Sequence, residues 1–158
     1  NELTVLIHEK SALVSYKVHQ DCKQIYADYS QVFRVLENLI TNSLKYSKDD
    51  VDPEIKIEVQ KQQDYIGISV SDNGIGFDMK YKDKIFEQFE RLHSSAKFSG
   101  TGMGLAIVKK IIDIHKGKIN LHSEISKGST FQILLPITKK EVNTNSKSSD
   151  TKLLTALG

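Results

Sequence analysis

The chain has 158 residues, 39% of them hydrophobic and 27% charged, with a formal net charge of +2. That size and apolar share suit one domain with its own core, while the small net charge, with no dense run of Lys or Arg, leaves no electrostatic case for nucleic acid or a membrane surface. No apolar stretch approaches the ~20 residues of a transmembrane helix, and the single cysteine, Cys22, excludes an internal disulfide and points to a reducing, cytoplasmic compartment.

The chain starts Asn1-Glu2-Leu3-Thr4, with neither signal-peptide character nor an initiator Met, so a piece of a longer protein is expected. Residues 3–8 are mostly apolar and predict the end of a helix. Residues 12–18 alternate loosely and predict a strand, with Ile25-Tyr26-Ala27-Asp28 as a second short extended piece beside it. Cys22 lacks a His partner and reads as an inert small residue. Asp28 or Ser30 is a candidate cap for the next helix.

That helix is expected from Ser30 to Tyr46. Val32, Phe33, Leu36, Leu39, Ile40 and Leu44 fall in one stripe at a 3.6 period, and Asn38, Asn42, Lys45 and Tyr46 fall on the other side. Residues 55–59 and 66–70 both alternate apolar with polar, with Gln62-Gln63-Asp64 between them, and predict an antiparallel hairpin with one buried face. A glycine-rich loop follows at 74–76, then a short helix over Lys80 to Phe89 and a polar loop over 92–101 that is expected to be mobile. Leu105 to His115 predicts a helix stopped near Gly117. Lys118 to Ser123 and Thr130 to Leu135 predict a closing hairpin with Lys127-Gly128 near its turn, and Pro136 ends the last strand. The domain is expected to span 1–138; the composition then shifts to Asn, Thr, Ser, Lys and Asp, so 139–158 reads as a polar linker or tail. This element order predicts an α+β two-layer sandwich: a mixed, mostly antiparallel sheet of about five strands with about three helices on one face.

Three segments carry candidate chemistry. Asn38, Asn42 and Lys45 line one face of the first long helix, with Tyr46 beside them. Amide oxygens are hard donors suited to magnesium, which keeps several waters and shares phosphate oxygens. Lys45 can meet phosphate as a point charge, and Tyr46 can pack on a base. The bland alternative is an amphipathic helix with a solvated face. Asp72-Asn73-Gly74-Ile75-Gly76 follows a strand: its glycines permit close backbone approach, and its carboxylate can accept from an exocyclic amine. A ligand-free tight turn is the plain alternative. Gly100-Thr101-Gly102-Met103-Gly104-Leu105 opens a helix, where free amides favour anions. It is no Walker loop, because no Gly-Lys-Ser/Thr follows. Phe86-Glu87-Gln88-Phe89 reads as a hydrophobic anchor under the polar loop, with Arg91 after it.

In this order and spacing, with Glu37-Asn38-Leu39-Ile40-Thr41-Asn42 first, the motifs resemble the catalytic, ATP-binding domain of sensor histidine kinases, within the wider family of gyrase, chaperone and mismatch-repair ATPases. The stretch from Phe86 to Val108 is similar to hybrid and phytochrome-like kinases. The resemblance implies the Bergerat-type ATP-binding fold, ATP and Mg2+ as cofactors, and roles by position. Asn42 and Asn38 resemble magnesium ligands, Lys45 a phosphate contact, and Tyr46 the aromatic beside the nucleotide. Asp72 resembles the reader of the adenine amino group, with Gly74 and Gly76 shaping that wall. Arg91 resembles a lid arginine, and Gly100, Thr101, Gly102, Gly104 and Leu105 form the second glycine box. Gly128 and Thr130 resemble a smaller motif at the pocket edge.

In the ATPase relatives the resemblance brings in, a water-activating glutamate stands four residues before the magnesium asparagine. Asn38 stands there in this chain and cannot act as a base. Glu37 is adjacent but points ~100° away around the helix. Phosphoryl transfer to a histidine on a separate dimerisation hairpin of the parent kinase, and indirectly to a response regulator, is therefore the expectation. A nucleotide-binding regulatory module, or a hydrolase using Glu37, are the alternatives. None of His8, His19, His93, His115 and His122 is expected to be the acceptor, and a monomer is expected.

Overall fold

The computed structural model describes residues 2–22, 27–87 and 102–137. Its organising element is helix α2 (Tyr29–Lys45). Asp28 is the cap: its Oδ1 accepts from the Gln31 amide at 3.1 Å and from the Ser30 hydroxyl at 2.6 Å. These bonds hold the Asp28 carboxyl below the usual carboxylate range, Ser30 contributing most. Val32, Val35, Leu36, Leu39, Ile40, Ser43 and Leu44 form the buried stripe at three- and four-residue spacing. Phe33, expected in that stripe, lies at its margin instead; it is 38% exposed and stacks on Tyr29 with ring centroids 6.0 Å apart.

The sheet has five strands in the order β1 (Leu13–Val18), β2 (Glu54–Gln62), β3 (Tyr65–Asp72), β5 (Gly128–Pro136) and β4 (Lys118–Glu124). β1 runs parallel to β2, and every other pair is antiparallel. A parallel neighbour needs a crossover, and α2 lies in that connection. β1 pairs with β2, and Asp28 serves the helix; Ile25 and Tyr26, expected in a second extended piece, lie outside the described residues. The β2–β3 hairpin turns at Gln63-Asp64, with Gln63 at φ 53°.

Alternation sorts the sheet into two faces. Ile55, Ile57, Val59, Ile68, Val70, Phe131, Ile133 and Leu135 are buried towards the helices. Lys56, Glu58, Ser69, Ser71, Thr130 and Gln132 occupy the polar face. Helix α1 (Glu2–Glu9) is the short N-terminal helix the apolar run foretold, and it packs Leu3, Leu6 and Ile7 on the core. Helix α3 (Gly104–Ile114) lies against α2 and contributes buried Val108, Ile111 and Ile112. It ends with Lys116 at φ 53°, after which the Gly117 amide closes back onto the Ile112 carbonyl at 2.9 Å.

The helix expected over 80–89 is not continuous. Two 3-10 turns, Met79–Tyr81 and Lys84–Phe86, stand there, the first opened by the Asp78 carboxylate accepting from the Lys80 amide at 2.9 Å. Phe86 meets Phe131 edge-on at 6.5 Å, so it is anchored on the core. Phe89, the loop 92–101 and the tail 139–158 fall outside the described residues. Cys22 is buried, and burial pushes its thiol up, as an inert residue requires.

Leu39 is 1% exposed at the centre of the α2 stripe. Leu39→Ala should therefore lower the unfolding free energy by about 2–5 kcal/mol, read from the denaturant midpoint at unchanged slope; a loss under about 1 kcal/mol would contradict the packing described.

Candidate active site

Asp72 closes β3 opposite Ile55, on the helix-facing side of the sheet. Its Oδ1 accepts from the Gly74 amide at 2.9 Å and the Ser129 amide at 3.2 Å. Its Oδ2 lies 3.1 Å from the Ser43 hydroxyl on α2. Burial pushes this carboxyl above the usual range, and the Gly74, Ser43 and Ser129 bonds, with the charge of Lys48, pull it part of the way back. One carboxylate thus collects donors from a helix, a loop and a strand.

The loop after Asp72 is sealed on two sides. Its Ile75 amide donates to the Tyr46 carbonyl at the end of α2 at 2.9 Å, and the Ser126 amide donates to the Ile75 carbonyl at 2.7 Å. Gly76 at φ 58° and Gly128 at φ 103° sit where these segments cross, and a Cβ on either would overlap a backbone carbonyl, that of Glu124 or of Asp72. Asn73 is structural: its side chain accepts from the Glu54 amide at 2.9 Å and donates to the Asp52 carbonyl at 3.1 Å.

The polar face of α2 stands beside this loop. Asn38, Asn42, Lys45 and Tyr46 are all partly exposed. Lys45 Nζ lies 4.7 Å from the centre of the Tyr46 ring. The Asn38 amide group donates to the Arg34 carbonyl at 2.7 Å. Its Oδ1 faces the first turn of α3, where a Cβ on Gly104 would come within 2.8 Å of it. The start of α3 has no side-chain cap on Met103 and no acidic residue in its first turn, and Gly102 precedes it at φ 73°. A helix start of this kind, with no acidic side chain in its first turn, favours an anion. Leu105 packs against the core and fixes that turn.

The structure thus gathers Asp72, Gly74 and Gly76 against the end of α2, and Gly104 against Asn38. Thr130 is placed elsewhere. Its hydroxyl donates to Ser71 Oγ at 3.0 Å, and both stand on the polar face of the sheet, because strand neighbours alternate. Ser129 takes the position against Asp72. Arg91, Gly100 and Thr101 lie outside the described residues.

Three serines were missed by sequence reasoning. Ser43 had a signal: it falls in the buried stripe four residues after Leu39, and a buried hydroxyl needs a partner. Ser129 acts through its backbone amide, which leaves no mark in the sequence. Ser123 is buried; its Oγ accepts from the Phe77 amide at 2.9 Å and lies 3.1 Å from the Gly128 carbonyl and 2.9 Å from Ser129 Oγ, tying the loop exit to the β4–β5 turn.

Among the described residues no group of three or more His, Cys, Asp or Glu gathers as a metal cage. The Asn38 amide oxygen beside Gly104 and the Asn42 amide one turn along the same helix are hard donors of the kind that fits a magnesium ion shared with phosphates. No helix among the described residues is long and apolar enough to cross a membrane.

Residues 27–139 match the family model described as histidine kinase-, DNA gyrase B-, and HSP90-like ATPase. The chain is 39% identical over 123 residues to cyanobacterial phytochrome A of Nostoc sp., covering 78% of this chain and 16% of that protein. It is 46% identical over 113 residues to phytochrome-like protein Cph1 of Synechocystis sp., covering 72% of this chain and 15% of that one. The chain therefore spans less than a fifth of either relative. Among solved structures, the nucleotide-free catalytic domain of histidine kinase ThkA superposes with a TM-score of 0.71 at 28% identity, over 86% of this chain and 88% of that chain.

The raised Asp72 carboxyl has a consequence for stability. A carboxyl whose folded value lies above its unfolded value favours folding below the unfolded value and loses that contribution as pH rises through the folded value. Asp72→Asn keeps an acceptor for the two amides without the buried charge. Its stability relative to the parent chain should rise as pH increases from below the ordinary carboxylate range, about 4, through neutral, measured by thermal unfolding; a relative stability that falls with pH would contradict the account.

Proposed function

Because the chain belongs to the histidine kinase-, DNA gyrase B-, and HSP90-like ATPase family, we propose that it binds Mg-ATP between α2, the Asp72 loop and the start of α3. It then donates the γ-phosphoryl group to a histidine on a separate dimerisation hairpin of a two-component sensor kinase, which in turn serves a response regulator. The observation that carries the choice of kinase over hydrolase is Asn38. Its amide is engaged by the Arg34 carbonyl and faces Gly104, and an amide cannot take a proton from water. Glu37 lies one residue away, ~100° around the helix.

Each side chain then has a physical task. Asp72 accepts from the adenine amino group, and Tyr46 flanks the base. Lys45 neutralises phosphate charge, and the amides of Gly102 and Gly104 receive phosphate oxygens. Asn42 and Asn38 would hold Mg2+, which supplies charge neutralisation at the phosphates when bound. The resemblance assigns Arg91 to the γ-phosphate and Gly100 and Thr101 to the glycine box; all three lie outside the described residues. In the transfer, the bond from the γ-phosphorus to the β,γ-bridging oxygen breaks and leaves ADP. A phosphorus–nitrogen bond forms to the acceptor imidazole, which gives up its proton. Catalysis on this chain is positioning and charge stabilisation, as in other phosphoryl transfers.

Calorimetric titration with ATP, ADP and GTP, with and without magnesium, tests this reading. Adenine nucleotides should bind and GTP should not. Asp72→Asn should erase that preference, and Asn42→Ala should erase the tightening by magnesium. Absence of nucleotide binding would overturn the proposal. Glu37→Ala separates the hydrolase alternative: it should leave any residual phosphate release unchanged.

A further inference from the structure

Ser43 is 5% exposed, and its hydroxyl has one hydrogen for two acceptors, the Leu39 carbonyl and Asp72 Oδ2, each 3.1 Å away. The Leu39 carbonyl, inside α2, is already positioned to accept the helical amide of residue 43. An ionised carboxylate is the stronger acceptor, so the hydrogen goes to Oδ2. The other oxygen, Oδ1, is held by the backbone amides of Gly74 and Ser129. Ser43 thus completes a three-point clamp that sets the plane of the carboxylate, and among the described residues it is the clamp's one side-chain donor. Once clamped, Oδ2 keeps a lone pair for one further donor, and that is the oxygen on the α2 side, where the base would lie.

We propose that Ser43 is a positioning residue for nucleotide selection: it orients Asp72 Oδ2 towards the exocyclic amino group of adenine, acting through Asp72 and not on the base itself. The inference rests on the Mg-ATP reading given above. It predicts a loss that depends on the amino group and not a general loss of binding.

The test compares the dissociation constants of ATP and of purine riboside triphosphate, which carries hydrogen in place of that amino group. Both are measured on the full chain and on Ser43→Ala and Ser43→Cys. Cysteine keeps the volume but donates weakly, so it serves if the alanine variant does not fold. In the parent chain ATP should bind tighter than the purine analogue by about tenfold, the scale of a hydrogen bond to a charged group. In either folded variant that ratio should fall to within about twofold of unity, with the analogue's affinity nearly unchanged. Equal weakening of both nucleotides, with the ratio preserved, overturns the inference and leaves ATP binding standing. A parent ratio near one overturns it as well. Failure of the parent chain to bind either nucleotide overturns the underlying reading, and this inference with it.

Discussion

A carboxylate half-buried at the end of a strand is costly unless its oxygens are satisfied. Asp72 meets that condition by taking donors from three separate elements: Ser43 on α2, Gly74 in the following loop and Ser129 at the start of β5. The cost is visible in the raised carboxyl, which the three bonds only partly offset. Satisfying one charge therefore locks the helix, the loop and the strand to each other at one place. The glycines at 76 and 128 exist because the segments must cross there at backbone distance.

Helix α2 joins this anchor to the rest of the site. Its apolar stripe packs on the sheet and against α3, so its opposite face is held rigidly. Side chains on a rigid helix are placed more accurately than side chains on a loop. Asn38 then meets Gly104 at the start of α3, and Tyr46 meets Ile75 in the loop. A strip of amides, an ammonium and an aromatic ring thereby lies between a half-buried carboxylate and a helix start that the Met103 side chain does not cap. On the proposed reading, base recognition and phosphate recognition would fall at opposite ends of that strip.

Much of this was legible in the sequence. The α2 helix declared itself through the 3.6 period and the Asp28 cap, and the β2–β3 hairpin through strict alternation around Gln63-Asp64. The ordered motifs marked the family and the segments that the fold brings together. What stayed hidden has physical reasons. The β1–β2 pairing is formed across a helical crossover, so no local pattern marks it. Met79–Phe86 has too few helical hydrogen bonds to extend beyond two 3-10 turns, although its composition reads as helix. The assignment of Thr130 failed by one residue. In a strand, one step moves a side chain to the opposite face, so the neighbour Ser129 reaches Asp72 while Thr130 meets Ser71. Ser43 shows the converse: its buried position was implied by the helix period, but its partner lies 29 residues away and only the fold reveals it.

The central claim is that this site positions ATP for transfer to a histidine and not for attack by water. The most direct measurement follows the γ-phosphoryl group from radiolabelled Mg-ATP with a histidine-bearing dimerisation hairpin supplied in trans. The account predicts label on the hairpin with the acid lability and alkali stability of phosphohistidine, and little free phosphate. Rapid release of free phosphate with no label on the hairpin would contradict it.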